Sequence, residues 1–333
     1  GDAAFVSISS GKLDLKTIDN ITALNNGLTI NGQGEVYGDG LFAITSQQGT
    51  AFGITMSSNG KGWFRNLGAV TSQEGTAASL TTSDNGEIGL WTVTSPFSSQ
   101  EGDAMVITSS GDSYVSLRSI AGMTSQEGRP LVVTASGTSE VYIHSIMAEC
   151  TTEENVAWTL TLSGQSQVTV RETAGASSEQ GQAVSLNVGT GSTLILDDNT
   201  KFSSTEEIAV SGTVQGTLKV NNMDEISTEQ GRMIVLGGGS VPESWVEFTN
   251  IGSITGTNPS EDGVAVTQAG TIRFVDIDEV TVENSSRYVM NFSSLGPELG
   301  KIELIDIASV EGTTCRGGVI ITECGDAQFY CTD

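Results

Sequence analysis

Residues that could catalyse a reaction are few and scattered in this sequence. His144 is the single histidine, and Asp197-Asp198 is the one pair of adjacent aspartates. Acid–base and nucleophilic catalysis need such groups within hydrogen-bond reach of each other. No Gly-x-Ser-x-Gly motif marks a nucleophilic serine either. We therefore interpret Asp197-Asp198 as part of a turn and His144 as an outward strand residue, and we predict that the protein is not an enzyme.

The four cysteines lack the spacing of a metal site. Three of them fall within the last 19 residues, no Cys-x-x-Cys is present, and one histidine cannot complete a zinc site with them. We expect instead a C-terminal cap held by a disulfide. The pairing stays open among the four candidates, which are Cys150, Cys315, Cys324 and Cys331.

A four-residue marker recurs along most of the chain. It predicts a repeated structural unit, which would position the other side chains. Its first four copies read Ser-Gln-Gln-Gly or Ser-Gln-Glu-Gly, and later copies are looser. The fourth residues lie at spacings of 26, 27, 26, 27, 26, 26, 24 and 32. The copies begin at Ser46, Ser72, Ser99, Ser125, Thr152, Ser178, Ser204, Thr228 and Ser260. A fixed period of this kind is typical of stacked structural repeats.

Apolar residues recur at fixed places after each marker and predict strands. One pair lies three and five residues after the marker, as in Met105/Ile107, and a second pair lies thirteen and fifteen residues after it, as in Val115/Leu117. A Gly or polar turn separates the two pairs, and a third apolar position follows near Ile120. Alternation with a period of two indicates a strand with one buried face. No segment shows a helical period.

One such unit cannot bury its apolar face alone, whereas stacked units bury a continuous core. The repeat therefore predicts an all-β fold, a single-stranded parallel β-helix of about 10–11 coils of about 26 residues, with the right-handed crossover usual for parallel strands. We assign irregular coils or a cap to residues 1–45, regular repeats to residues 46–310 and a cysteine-containing cap to residues 311–333. A propeller is disfavoured because its blades need about 40 residues and four strands each.

The tandem coils resemble the parallel β-helix proteins of cell surfaces, secreted adhesins and phage tails, and also the pectate-lyase-type polysaccharide enzymes. The resemblance is one of architecture over nearly the whole chain, and the Ser-Gln-Glu-Gly marker matches no motif of these families. Polygalacturonase-like enzymes imply several Asp, a Gly-His-Gly and an Arg-x-Lys on neighbouring coils, and the lyases imply clustered Lys or Arg beside an acidic calcium site. The sequence carries neither set, so an enzyme or a glycan-binding module of this fold is the alternative to a structural or adhesive protein.

Two rows of outward residues could bind something in their own right. Glu74, Glu101 and Glu127 should lie one coil apart, where neighbouring charges repel by about 1 kcal/mol in water, so they must be solvated or bind cations such as calcium. No other cofactor is expected. A row of outward Thr residues resembles the flat face of ice-binding solenoids. An ice-binding protein is therefore a minor alternative, although Thr is also common at exposed strand positions. The members of this Thr row are Thr55, Thr81, Thr108, Thr134, Thr161 and Thr213.

Composition and charge exclude two classes of partner, nucleic acid and the membrane interior. The formal net charge is -26, which excludes a basic footprint for nucleic acid, and no apolar run approaches the roughly 20 residues that span a bilayer. The chain starts Gly1-Asp2 without Met, so we expect a mature chain or a segment of a larger filament or surface protein. We expect an extracellular or cell-surface location, with other chains of an assembly (a homo-oligomer or fibre) or surface glycans as partners. Candidate glycosylation sequons stand at Asn20, Asn284 and Asn291.

Four large aromatic residues mark where a glycan would bind if the fold carries such a site. They are Trp63, Phe64, Trp91 and Trp245. The alternation of buried and exposed positions predicts that Phe64 points inward and that Trp63 points outward. The orientations of Trp91 and Trp245 stay open at this point.

Overall fold

The computed structural model describes residues 2–257, 259, 261–285 and 287–330. These residues form a parallel β-solenoid of about 12 turns, with turns of about 26 residues and no helix. The predicted all-β parallel solenoid is confirmed. Within the same ranges, no helix is long and apolar enough to span a membrane.

The strands are short in the middle of the chain and longer towards its ends, where neighbouring strands merge around corners. In chain order they are β1 (Ala4–Ile8), β2 (Lys12–Ala23), β3 (Leu28–Gly32), β4 (Glu35–Ser46), β5 (Phe52–Met56), β6 (Lys61–Ser72), β7 (Ala78–Thr82), β8 (Glu87–Val93), β9 (Phe97–Ser99), β10 (Met105–Ser109), β11 (Tyr114–Ile120), β12 (Met123–Ser125), β13 (Leu131–Ala135), β14 (Glu140–Ile146), β15 (Cys150–Thr152), β16 (Trp158–Leu162), β17 (Gln167–Thr173), β18 (Ala176–Ser178), β19 (Val184–Val188), β20 (Thr193–Asn199), β21 (Lys201–Ser204), β22 (Val210–Val214), β23 (Thr217–Thr228), β24 (Ile234–Gly256), β25 (Val264–Val282), β26 (Tyr288–Gly312) and β27 (Gly317–Tyr330).

The chain divides into two compact units. The first contains Gly1–Thr159 and Gln165–Ala174, and the second contains Leu160–Gly164 and Gly175–Asp333. In the first unit each coil contributes a strand to three sheets. The first sheet includes β5, β7, β10 and β13, the second includes β6, β8, β11 and β14, and the third includes β9 and β12. In the second unit, β24, β25 and β26 pair in parallel over whole coils.

The core forms because alternate residues of every strand point inward, as the repeat columns predict. Met105 and Ile107 of β10 are fully buried, as are Val115 and Leu117 of β11. In register, Met105 lies between Ala78 and Leu131 of the adjacent coils, so the same column supplies the core from coil to coil. Each inward side chain therefore packs against apolar side chains of the same column on the two adjacent coils.

The ends of the described chain continue the ladder. In the N-terminal segment predicted to be irregular, β1 pairs in parallel with β3 at a spacing of 24 residues, as in Ala4 opposite Leu28, and β2 pairs with β4 at a spacing of 23, as in Lys12 opposite Glu35. At the other end, β27 pairs in parallel with β26. The N-terminal coils escaped the 26-residue pattern because their spacing is shorter, and the C-terminal coils escaped it because their spacing varies and the register shifts.

The marker is a hydrogen-bonded corner that links each coil to the one before it. The Ser125 hydroxyl accepts a bond from the Gly128 N–H at 2.9 Å and donates one to the Gly102 carbonyl at 2.7 Å. Ser99 and Ser72 make the same two contacts one and two coils earlier. In the second unit, Ser204 and Thr228 repeat the arrangement. The hydroxyl therefore satisfies a backbone donor and a backbone acceptor that would otherwise be unpaired.

Glycine stands in the fourth marker position because the coils approach closely there. A Cβ atom added to Gly75 would lie 2.3 Å from the Gly49 carbonyl oxygen, and one added to Gly128 would lie 2.2 Å from that of Gly102. Both distances are well inside van der Waals contact. Close approach of the backbones, rather than a positive φ, explains this glycine.

A second corner, at the end of the second sheet, uses left-handed backbone in coil after coil. The φ angles lie between 48° and 65° at these positions. The first unit places Thr17, Asn66, Thr92, Ser119, Ser145 and Glu172 there, and the second unit places Asp198, Asn222, Asn250, Asp276 and Asp306 there. Asn and Asp tolerate this conformation, whereas a β-branched residue such as Thr92 is strained in it.

We expect Ser125→Ala to lower the free energy of unfolding by about 1–3 kcal/mol, because it leaves the Gly128 N–H and the Gly102 carbonyl without their partner. Equilibrium urea unfolding measures the change. The matched control is Ser116→Ala, since the Ser116 hydroxyl is buried and has no hydrogen-bond partner among the described residues. An equal loss of stability in the two variants would contradict the role of the marker hydroxyl.

We expect Thr92→Asn to raise the free energy of unfolding by about 1 kcal/mol, because Asn adopts left-handed backbone at lower cost than Thr. Thr108→Asn, at an exposed position with ordinary strand backbone, serves as the control and should bring no gain. Thermal unfolding of both variants checks the expectation. No gain at position 92 would mean that the corner is not strained.

Candidate functional site

The outward face of the second sheet in the first unit concentrates aromatic and charged side chains. We call it the second-sheet face. Every second residue of each strand faces outward, and the strands pair in parallel register, so outward residues of successive coils form three columns. The middle column reads Asp14, Tyr37, Trp63, Gly89, Ser116 and Tyr142, and the column next to it reads Lys16, Asp39, Arg65, Trp91, Arg118 and His144.

Two tryptophans stack on this face and form the wall of a groove. The rings of Trp63 and Trp91 have centroids 4.9 Å apart and planes inclined by 27°. Trp63 reaches Trp91 because Gly89 has no side chain, since a Cβ there would lie 2.1 Å from the Trp63 ring. Phe64 is fully buried, so its predicted inward direction and the outward direction of Trp63 both agree with the structure. The groove has a volume of about 430 Å³ and also includes Tyr37.

Ion pairs between adjacent coils fix the charged side chains around the groove. Arg65 lies 2.7 Å from the Asp39 carboxylate, and Lys61 lies 3.0 Å from Glu87. The hydrogen bond from Arg65, aided by one from Asn66, lowers the pKa of Asp39, so this carboxylate stays ionised well into acid. The hydrogen bond to Glu87 raises the pKa of Lys61.

Planar side chains continue beyond the groove along the same face. The Arg118 guanidinium lies 5.6 Å from the Tyr142 ring centre, and Tyr142 stacks against His144 at 5.9 Å. His144 bonds Glu172 at 2.8 Å, and this hydrogen bond is the main cause of the lowered pKa of Glu172. His144 is thus an outward strand residue in contact with Glu172, as its place in the strand pattern predicts.

The second-sheet face is close to neutral within an acidic unit. The first unit contains seven Lys and Arg residues, and the seventh, Arg129, pairs with Asp103 elsewhere. The six on this face are Lys12, Lys16, Lys61, Arg65, Arg118 and Arg171. The same columns hold only five of the 17 carboxylate side chains of the unit: Asp14, Glu35, Asp39, Glu87 and Glu140. The remaining surfaces of the unit are therefore strongly acidic.

Trp245 belongs to a separate aromatic and charged cluster in the second unit. Its indole N–H donates to Glu247 at 3.0 Å, and the Arg273 guanidinium lies 5.7 Å from its ring. Arg273 also donates a hydrogen bond to Glu247 at 2.6 Å and forms an ion pair with Glu303 at 2.5 Å, while Lys301 contacts Glu303. These charges pair with one another, so the cluster presents one indole within a closed ion-pair network.

The predicted acidic residues do not converge on a site. Glu74, Glu101 and Glu127 are exposed on the marker corner of adjacent coils. Asp197 and Asp198 lie within β20 rather than in a turn after it. Asp197 pairs with Asn221 in register and accepts a bond from Asn222 at 3.0 Å, whereas Asp198 occupies the left-handed corner. Among the described residues, no group of three or more His, Cys, Asp or Glu side chains could hold a metal ion.

The cysteines and sequons differ in accessibility. Cys150, Cys315 and Cys324 are free thiols, whereas Cys331 lies outside the described residues, and the disulfide stays a prediction. Burial raises the pKa of Cys150 to about 12, so this thiol is inert at neutral pH. Of the sequon asparagines, Asn20 and Asn284 are exposed. The third, Asn291, donates its side-chain amide to the buried Asp262 at 2.7 Å, and the use of all three sequons stays a prediction.

The Thr row faces outward from the first sheet. Thr55, Thr81, Thr108 and Thr134 are direct neighbours in register, and Thr161 and Thr213 face outward in the second unit. The parallel rank two residues earlier is mixed, with Gly53, Ser79, Val106 and Val132 in register. The face is therefore a single Thr file beside an uneven rank.

Comparison of the chain with protein-family models, with curated proteins and with solved structures finds no match. Sequence reasoning selected Trp63 and Trp91 but missed Tyr37, Arg118 and Tyr142. A search for large planar residues at the outward positions of the second strand of each coil would have found them.

We expect the acid stability of the protein to depend on Glu303, whose pKa is lowered mainly by its hydrogen bond with Lys301 and also by Arg273. Folded Glu303 binds a proton more weakly than unfolded Glu303. Its contribution is thus complete above the unfolded pKa of about 4.3 and is lost as pH falls through the lower folded value. Urea unfolding of Glu303→Gln should show reduced stability at pH 7 and a flatter fall in acid than the wild type. Glu243→Gln, at an exposed position without a partner among the described residues, should leave the acid limb unchanged, and an unchanged limb in Glu303→Gln would refute the assignment.

Proposed function

We propose that the protein is a non-catalytic adhesive element of a cell surface or extracellular assembly, and that it binds surface polysaccharides through the second-sheet face. The observation that carries the proposal is the stack of Trp63 on Trp91 within the groove of about 430 Å³. Exposed large aromatics cost free energy in water unless a ligand covers them. Trp91 remains 38% exposed, so it is available to such a ligand.

The chemistry of the groove suits a sugar. Pyranose rings present flat C–H faces that pack on aromatic rings, and their hydroxyls both donate and accept hydrogen bonds. The groove offers indole surface together with the Arg65–Asp39 pair and Lys16 as hydrogen-bonding groups. Apolar walls with a few fixed polar groups are the usual composition of ligand sites.

The scaffold favours adhesion because it holds the site rigidly. The groove residues lie on β2, β4, β6 and β8, which are paired in register rather than placed on loops. A preorganised site loses little conformational entropy when it binds. Repeated hydrogen bonds at the marker corner of the same coils support this rigidity.

We expect the protein to bind at least one member of a panel of immobilised cell-surface polysaccharides, and Trp91→Ala to weaken that binding by about tenfold or more. Biolayer interferometry measures the affinity. Phe42→Ala is the matched control, because Phe42 is 54% exposed in the same unit and does not line the groove. Circular dichroism confirms that both variants fold. Absence of binding across the panel, or equal losses in the two variants, would overturn the proposal.

A further inference from the structure

Besides Arg65, Tyr114 and His144, the second-sheet face carries five planar side chains that form a continuous series across consecutive coils. We call them the planar row: Tyr37, Trp63, Trp91, Arg118 and Tyr142, from β4, β6, β8, β11 and β14. Tyr37 is opposite Trp63 in register, Trp63 stacks on Trp91, and Trp91 is opposite Arg118. The Arg118 guanidinium then lies over the Tyr142 ring. Each member is therefore adjacent to the next.

The planar row extends further than the groove. The groove includes Tyr37, Trp63 and Trp91, and a second, smaller depression of about 120 Å³ lies on the same face beside Tyr142 and Tyr114. Four steps between coils, at about 4.8 Å each, give the row a span of about 19 Å. A ligand confined to the groove would leave Arg118 and Tyr142 uncovered.

Hydrogen-bonding groups accompany the row on both sides. One flanking column consists of Lys12, Glu35, Lys61, Glu87, Tyr114 and Glu140. On the other side, Lys16, Asp39 and Arg65 lie beside Tyr37 and Trp63 only, because Trp91 and Arg118 continue the same column. Donors and acceptors thus alternate along a strip whose centre is planar and largely apolar. Because this face is close to neutral, an uncharged or weakly acidic polysaccharide can approach it without strong repulsion. The other surfaces of the unit are acidic and would repel an acidic polysaccharide.

We propose that the planar row is one continuous track for an unbranched polysaccharide, which crosses the strands and runs from coil to coil along the face. This inference rests on the proposed function and adds the orientation and extent of the ligand. Successive sugar rings of a linear chain present the same flat faces at a regular repeat, as the row presents one planar side chain on every coil. Polar groups flank the row along one side, and along both sides at Tyr37 and Trp63, where they form hydrogen bonds with the hydroxyl groups at the edges of the chain.

The test is the dependence of affinity on chain length. Isothermal titration calorimetry with β-1,4-linked glucose oligosaccharides, and in parallel with oligogalacturonates, covers lengths from two to eight sugars. We expect affinity in at least one series to rise with each added sugar until the track is filled, and then to level off. Tyr142→Ala should weaken binding of the long members by about fivefold or more while leaving the shortest unchanged. Trp63→Ala should weaken both long and short members.

The outcomes separate the track from the proposed function. Phe5→Ala, at a position that is 64% exposed and outside the row, should bind every oligosaccharide as the wild type does. If Tyr142→Ala binds long oligosaccharides as tightly as the wild type, or if affinity is already maximal at two sugars, the track is wrong while the groove remains a sugar site. If neither series binds at any length while the polysaccharide panel does, the ligand is not a linear chain of this kind and the track is again wrong. If nothing binds in either assay, the proposed function fails too.

Discussion

The hydrogen bond from each marker hydroxyl to the carbonyl of the coil before it is the constraint on which the rest of the structure depends. It requires a small hydroxyl side chain at the first marker position, and the close backbone approach requires glycine at the fourth, as Ser125 and Gly128 illustrate. With those two positions committed to the corner, the two between them face the solvent. The exposure of Glu101 and Glu127 follows from this geometry, without any requirement for a bound cation.

Charges on the outer faces keep the coils in register. Along one column of the first unit, Lys12, Glu35, Lys61 and Glu87 alternate in sign from coil to coil. A column of the second unit does the same with Lys219, Glu247, Arg273 and Glu303. A slip by one residue would move every side chain to the opposite face, and a shift that aligned like charges would replace attraction by repulsion. Lys12 of the first column also lines the groove, and Lys61 and Glu87 form an ion pair between adjacent coils of the same column.

Sequence alone predicted the strands and the core because these depend on columns that repeat. Met105 and Ile107 recur in type at each coil, and their burial follows directly. The left-handed corner escaped detection because its residues vary from Thr92 to Asn66 and share only a backbone conformation. The pairing of Asn291 with Asp262 was equally invisible, because it joins residues on adjacent coils that carry no repeated signal.

The planar row was only partly predictable for a related reason. Its residues are Tyr, Trp, Trp, Arg and Tyr, and they occupy two different columns, so no column taken alone shows them. The size of Trp63 and the alternation of inward and outward residues indicated an exposed aromatic at this position. Its contact with Trp91 was not predictable, because it depends on the absence of a side chain at Gly89 in the next coil. The residues of the planar row do not repeat from coil to coil, whereas the core and marker residues do, so the repeat predicts the scaffold but not the site.

The marker corner also bears on how such a gene changes. Since neighbouring coils that carry the marker offer the same hydroxyl and the same carbonyl, recombination between their repeats can add or remove one whole coil without leaving an unmatched junction. Changes in multiples of 26 or 27 codons are therefore tolerated, whereas a loss of three or four codons inside a coil displaces its corner from both neighbours. Length variants among descendants of this gene should differ by complete coils.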